Sequence, residues 1–159
     1  MFRPARKIPI RIVAITGPRR ERFYKLGDEN CKLEIEIRET SQDLIRKMLN
    51  DTFEGAEMVE STGQVKAGAP VIDIFLETFQ AKGKCKSGLC DIEVSAGFEY
   101  RPDGNAGVEK VKEKTETQVS AKNCIDTQYR FDQATERTFI RGVNTIQQKL
   151  INRFGGKTS

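Results

Sequence analysis

The chain has 159 residues, of which 37% are hydrophobic and 31% charged, and its formal net charge is +4. This length suits a single domain with its own core, and no stretch approaches the roughly 18 to 20 apolar residues of a membrane helix. The sequence contains no histidine and no tryptophan, which excludes histidine-based acid–base catalysis and mixed cysteine–histidine zinc sites.

The N-terminal part is predicted to contain two strands separated by a basic loop. Isoleucines at every second position predict a strand over 7–15, and Pro9 places that strand at a sheet edge or at the start of its ladder. A basic loop then runs from Thr16 to Asp28. Residues 31–38 alternate between apolar and charged side chains, which is typical of a strand with one buried face.

Positive charge is concentrated in this N-terminal part. Eight of the first 25 residues are basic and only Glu21 is acidic. Such a cluster attracts anionic lipid or nucleic acid, although a solvated strand edge and loop would have the same composition. Arg19, Arg20 and Arg22 could bind an anion, but their loop lacks the spacing and the lysine of a P-loop.

A helix and a short strand are predicted next. The sequence from Thr40 to Asp43 resembles a capping box, and Gly55 lies where a helix would stop. Between them, apolar residues recur at helical spacing. A short strand over 56–60 and an exposed loop follow.

The middle of the chain is predicted to be an antiparallel meander with strands over 71–82, 90–100 and 108–122. Residues 83–89 form its first connection. The second strand alternates along its whole length. In the first strand, one face is predicted to carry Ile72, Ile74 and Leu76, and the other Val71, Asp73, Phe75, Glu77 and Phe79.

A long amphipathic helix from near Asp132 to Phe154 closes the chain, with Gly155 and Gly156 after its end. These elements predict an α+β fold, a two-layer sandwich in which two amphipathic helices pack on one face of a mostly antiparallel sheet of about four to six strands. Residues 1–28 form a basic strand and loop of the same domain and residues 29–156 its core, so that we expect one domain overall.

The four cysteines are Cys31, Cys85, Cys90 and Cys124. Their even number, and the short loop between Cys85 and Cys90, favour two disulfides and an oxidising compartment. Reduced core cysteines are the main alternative, and a metal site fits poorly because only one pair is close in sequence. Three pairings are open. A bridge between Cys31 and Cys124 would tie the N-terminal third to the end of the meander.

An oxidising compartment requires an export signal, and the first residues do not have the pattern of a signal peptide. We therefore expect that Met1 stands where a leader was removed.

The sequence contains no catalytic constellation. Most carboxylates fall on the outward rows of strands, and the one pair of interest, Asp73 and Glu77, lies too far apart in a regular strand for a retaining glycosidase. Nucleic-acid binding favours aromatic residues interleaved with the basic ones, and only Phe23 and Tyr24 fit that pattern, so the signal for nucleic-acid binding is weak. We expect no enzyme activity, no cofactor and no metal.

Residues 41–154 resemble a group of small envelope proteins of Gram-negative bacteria. The group includes YajG-type periplasmic lipoproteins, auxiliary lipoproteins of ABC transporters and the lipopolysaccharide-assembly lipoprotein. The shared pattern is an amphipathic helix, a strand that opens a meander and a closing helix. Its parts here are residues 44–53, 71–77, 90–100, 108–121 and 139–154. The lipobox cysteine is missing, and the loop between Cys85 and Cys90 is not a feature of the group.

The resemblance implies a non-enzymatic accessory or adaptor protein, periplasmic or associated with the outer membrane, that binds a partner protein or an amphiphile and contacts the membrane peripherally. The oligomeric state stays open. The basic N-terminal arm would then bind anionic headgroups, for which the planar guanidinium of arginine is well suited. The residues expected on this surface are Arg3, Arg6, Lys7, Arg19, Arg20 and Arg22. The alternative is a binder of nucleic acid or another anionic polymer through the same segment.

Overall fold

Seven strands and two helices make up the computed structural model, which describes residues 6–16, 23–27, 31–60, 68, 70–103, 106–120 and 123–155. The strands are β1 (Ile8–Ile15), β2 (Phe23–Gly27), β3 (Lys32–Glu36), β4 (Phe53–Val59), β5 (Val71–Lys86), β6 (Leu89–Arg101) and β7 (Glu109–Ser120). The helices are α1 (Ile37–Thr52) and α2 (Cys124–Phe154).

Five of the strands form one mixed sheet in the order β4-β1-β5-β6-β7, while β2 and β3 form a separate antiparallel hairpin. β1 is parallel to both of its neighbours, and β5, β6 and β7 form the predicted antiparallel meander. Helix α1 packs near β4 and β5, helix α2 covers β6 and β7, and the two helices contact each other. The predicted α+β two-layer sandwich is therefore confirmed.

One apolar core fills the space between the sheet and the helices. At its centre the ring of Phe139 on α2 meets Phe79 of β5 and Phe98 of β6 edge to face, with ring centroids 5.7 and 5.9 Å apart. Such contacts contribute about 0.5–1.5 kcal/mol each beyond the area they bury. We call the opposite side of the sheet, which faces away from the helices, the outer face.

β1 lies inside the sheet, paired on both sides. Pro9 was compatible with two positions of β1, at a sheet edge or with Pro9 at the start of its ladder. The structure has the second, because the pairing of β1 with β4 becomes regular only at Arg11. Ile12, Val13 and Ala14 are all buried. An unbroken apolar run of this kind is typical of a strand that is covered on both faces.

Helix α1 begins earlier than the capping-box pattern predicted. Its N-cap is Glu36, whose side chain accepts a hydrogen bond of 2.9 Å from the amide of Glu39. Thr40 lies inside the first turn and donates its hydroxyl to the carbonyl of Glu36. The helix also ends earlier, at Thr52, and passes directly into β4, so that Gly55 is a strand residue and not a helix stop.

A β-bulge between Leu76 and Thr78 corrects the predicted faces of β5. The extra residue, Glu77, shifts the alternation, so that Phe79 faces the helices with Ile72 and Ile74 and not the outer face. The prediction for Phe79 was therefore wrong.

Three further boundaries differ from the prediction. β2 lies within the predicted basic loop. β5 continues to Lys86, so that the connection to β6 is shorter than predicted. Helix α2 begins at Cys124, about two turns before Asp132, with Asn123 as its N-cap.

Candidate functional site at the hairpin end

The hairpin between β5 and β6 projects beyond the core. Its turn consists of Ser87 and Gly88, with φ of 53° and 81°. Positive φ at both central residues matches the right-handed twist of the flanking strands and closes a tight two-residue loop. Every residue from 82 to 89 is exposed, whereas Ala81 and Cys90 on either side are buried. We call residues 82–89 the hairpin tip.

The hairpin tip carries three lysines on one face. Lys82, Lys84 and Lys86 alternate along β5 on the outer face and are all exposed. Their cross-strand partners are Glu93, Asp91 and Leu89. None of the three lysines makes an ion pair within the described part of the chain.

A disulfide fixes the hairpin tip. Cys85 and Cys90 are directly paired across the two strands, with their Cα atoms 4.0 Å apart, and they are joined to each other. The second disulfide joins Cys31 to Cys124 over a sequence separation of 93. All four cysteines are thus paired, as the sequence analysis favoured.

The second disulfide helps to hold the β2–β3 hairpin against the start of α2. Cys31 precedes β3 and Cys124 opens α2. Next to the bridge, the side-chain amide of Gln128 accepts a hydrogen bond of 3.2 Å from the amide of Glu34 and donates one of 3.1 Å to its carbonyl. The amide of Gln128 therefore satisfies both main-chain groups of one β3 residue, much as a neighbouring strand would.

Large apolar side chains are exposed at the same end of the molecule. Leu89 on the hairpin tip is 48% exposed, and Ile125 and Tyr129 on α2 are 85% and 58% exposed. Leu89 pairs with Ser120 at the end of β7, whose carbonyl accepts a hydrogen bond from Thr127 of α2. The hairpin tip, the last residues of β7 and the first two turns of α2 thus form one end of the molecule, which we call the hairpin end.

An open groove of about 840 Å³ borders the hairpin tip. Its carboxylates are largely compensated, because Lys114 Nζ lies 3.7 Å from Glu93 and 3.4 Å from Glu116, and Asp91 accepts a hydrogen bond from Gln118. Within the described ranges, no group of three acidic or cysteine side chains is placed to hold a metal ion.

A polar network occupies the opposite end, around the C-terminus of α2. The phenol of Tyr100, which is buried, hydrogen-bonds the carboxylate of Glu109, and Lys149 lies 3.6 Å from that carboxylate. Burial and the bond to Glu109 raise the pKa of Tyr100, while the hydrogen bond from Tyr100 lowers the pKa of Glu109. Arg153 pairs with Asp103 close by. These groups link α2 to the β6–β7 connection.

The structure describes only part of the predicted basic arm. Arg6 and Lys7 are exposed just before β1. Arg3, Arg19, Arg20 and Arg22 lie outside the described residues, so the arm stays a prediction.

The carboxylate pair considered for catalysis does not sit in a regular strand. Glu77 is the extra residue of the β-bulge, and Asp73 lies 4.0 Å from the guanidinium of Arg101. No helix within the described ranges is both long enough and apolar enough to span a membrane.

The sequence analysis did not identify the hairpin tip as a candidate site. The signal in the sequence was the lysine at every second position on one side of a Ser-Gly pair, followed by a leucine. It was missed because the strand was predicted to end at residue 82, which placed the last two lysines in a loop.

No family model matches the sequence, and no curated protein matches it. Among solved structures, the chain resembles the rare lipoprotein B of Shewanella oneidensis, with a TM-score of 0.51, 10% identity, and coverage of 92% of this chain and 97% of that one. It also resembles a minor lipoprotein of Acinetobacter baumannii, with a TM-score of 0.47, 7% identity, and coverage of 89% and 92%. At 10% identity the likeness to the Shewanella protein shows a shared fold alone.

Proposed function

We propose that this chain is a non-enzymatic accessory or adaptor protein of the bacterial cell envelope, which binds a partner protein or an amphiphile beside a membrane. Its proposed location is the periplasm or an association with the outer membrane. The narrower likeness to YajG-type, ABC-transporter auxiliary and lipopolysaccharide-assembly lipoproteins belongs to the same proposal.

The observation that carries the proposal is the complete pairing of the cysteines. Both disulfides join residues in well-defined elements, and no thiol is left free. Disulfides of this structural kind persist outside the reducing cytosol. The likeness in fold to a bacterial lipoprotein adds support, because it covers nearly the whole of both chains.

We also propose that this protein catalyses no reaction. The sequence has no histidine, and the carboxylates at the groove are held by lysine or glutamine. A fold with compensated carboxylates and exposed lysines is suited to binding surfaces of opposite charge.

The test is the intact mass of natively purified protein after alkylation of free thiols, with and without reductant. We expect no alkylated cysteine without reductant and four with it. Four alkylated cysteines without reductant, in protein made where disulfides can form, would contradict the proposal.

The basic arm is tested on the same oxidised protein. Replacing its six arginines and lysines, at positions 3, 6, 7, 19, 20 and 22, by glutamine should weaken binding to vesicles rich in anionic lipid. Binding of wild-type protein to single-stranded DNA that falls steeply with salt would instead favour the anionic-polymer alternative.

A further inference from the structure

We propose that the hairpin tip docks on the surface of an anionic phospholipid bilayer, with Leu89 at headgroup depth and the three lysines against the phosphates. This inference rests on the proposed function and adds to it a membrane-binding site that is separate from the basic arm.

The shape of the hairpin tip favours docking on a surface. The hairpin tip is exposed on both faces of the sheet, whereas the strands on either side of it are buried at Ala81 and Cys90. The two-residue turn and the disulfide hold it in one conformation. A preformed tip loses little conformational entropy when it binds, which favours binding by a small surface.

Positive charge is distributed unevenly along the hairpin. Lys82 faces Glu93 and Lys84 faces Asp91 across the strands, but Lys86, nearest the turn, faces Leu89. Glu93 in turn lies 3.7 Å from Lys114, and Asp91 accepts a hydrogen bond from Gln118. Positive charge is therefore least compensated at the part of the hairpin that would reach a surface first.

Apolar side chains are exposed beside these charges, which favours a bilayer over other anionic partners. Leu89 lies on the sheet and Ile125 and Tyr129 lie on α2, all three at the hairpin end. When the protein meets the bilayer with its hairpin end, which we call end-on docking, all three side chains therefore reach the interface. Lysines that flank an apolar side chain bind anionic membranes through headgroup attraction and shallow insertion. Residues 82–89 include no aromatic ring on which a nucleic-acid base could stack, and the described part of the hairpin end has one exposed ring, that of Tyr129 on α2.

The experiment measures co-flotation of the oxidised protein with vesicles of phosphatidylglycerol and phosphatidylcholine, and with phosphatidylcholine alone, at low and physiological salt. Both disulfides are first verified by mass. K84Q/K86Q is compared with K47Q/K112Q, which removes the same charge from exposed lysines of α1 and β7. L89S is compared with V108S, because Val108 at the other end of the sheet is 45% exposed.

We expect wild-type protein to bind only the anionic vesicles. K84Q/K86Q should weaken that binding about 25-fold, at about five-fold per lysine, while K47Q/K112Q changes it less than about three-fold. L89S should weaken it and V108S should not.

Equal losses in the two lysine pairs, or no binding by wild-type protein at low salt, would overturn the inference. Since the disulfides are verified beforehand, equal losses in the two lysine pairs concern the hairpin tip alone, whereas no binding by wild-type protein would also count against membrane contact by the basic arm. Free thiols in the native protein would instead count against the proposed function.

Discussion

Gly142 lies where α2 packs against Phe98 of β6. A Cβ atom on Gly142 would lie 2.7 Å from two ring carbons of Phe98, which is fully buried. Alanine favours helix by about 1 kcal/mol over glycine, but overfilling a packed core costs about 1–3 kcal/mol. We expect G142A to lower the free energy of unfolding by about 1 kcal/mol, measured by urea denaturation.

The matched control is G83A, since no heavy atom lies within 4 Å of a Cβ at Gly83. Its free energy of unfolding should stay within about 0.5 kcal/mol of the wild-type value. If G142A were as stable as wild type or more stable, moving the ring of Phe98 would cost no more than the about 1 kcal/mol that alanine gains in the helix, which would contradict tight packing between α2 and β6.

The pair of Tyr100 and Glu109 predicts a dependence of stability on pH. Because the folded-state pKa of Glu109 is below its unfolded value, its contribution is present above the ordinary carboxyl pKa and is lost as the pH falls. Because the folded-state pKa of Tyr100 is raised, its contribution is present below the ordinary phenol pKa, about 10, and is lost as the pH rises above it.

Removing the phenol should therefore flatten both limbs of the stability curve. We expect Y100F to lower the free energy of unfolding by about 0.5–1.5 kcal/mol at neutral pH and to lose less than wild type below about pH 4.5. Thermal unfolding at a series of pH values checks this. Y129F, at an exposed tyrosine, is the control, and a similar curve for Y100F and Y129F would contradict the prediction.

At the scale of elements, the two disulfides differ in what they constrain. The bridge between Cys31 and Cys124 spans 93 positions and that between Cys85 and Cys90 spans five. In the chain-entropy account, the long loop contributes about 4–5 kcal/mol and the short one about 2 kcal/mol, as upper values. We expect C31S/C124S to lower the free energy of unfolding more than C85S/C90S, measured by urea denaturation.

The variants should also differ in where the structure loosens. In C31S/C124S the β2–β3 hairpin is held on α2 chiefly by Gln128 and apolar contacts, so that protease cleavage near residues 23–36 should accelerate. In C85S/C90S cleavage should accelerate only at the hairpin tip. The reverse order of stability, or cleavage at the same place in both, would contradict this account.

The sequence predicted those elements whose pattern is regular. The alternation of Cys90 to Tyr100 indicated β6, since each inward residue there is buried in the core. The bulge at Glu77 could not be predicted, because one extra residue leaves the composition of the strand unchanged and shows only in its pairing. The first turns of α2 were missed because polar Thr127 takes the place of an apolar residue facing the sheet.

The candidate site was harder to predict than the fold. Alternating lysines occur both in the hairpin tip and in β7, where Lys110 and Lys114 make ion pairs with glutamates of β6. The hairpin tip differs from β7 because it lies beyond Ala81, the last core residue of β5. The position at which β5 leaves the core depends on where α2 begins. Exposure of this kind follows from the packing of distant elements and not from local pattern.

For the whole molecule, α2 separates the hairpin tip from Arg6 and Lys7, the described residues of the basic arm. Its 31 residues extend over about 46 Å, at 1.5 Å per residue. The hairpin tip lies at its first turns, whereas Ile8, next to the basic arm, contacts the region of Gly155 at its last turn. Arg6 and Lys7 therefore lie at the end of α2 away from the hairpin tip.

The position of β1 predicts that the N-terminal segment is integral to the domain. β1 is the strand between β4 and β5, and its Ile8, Ile12 and Ala14 belong to the core. Without it, β4 has no partner strand among the described residues, β5 gains an unpaired edge, and part of the core faces water. We expect a protein that begins at residue 29 to show no cooperative thermal transition by circular dichroism.

R6Q/K7Q is the control for this deletion, because it removes charge from the same segment at two exposed positions and leaves β1 in place. Its unfolding temperature should match that of wild type. A cooperative transition in the truncated protein would show that residues 29–156 form a domain without β1. β4 and β5, which both pair with β1 in the intact protein, would then have to pair with each other or leave these edges open.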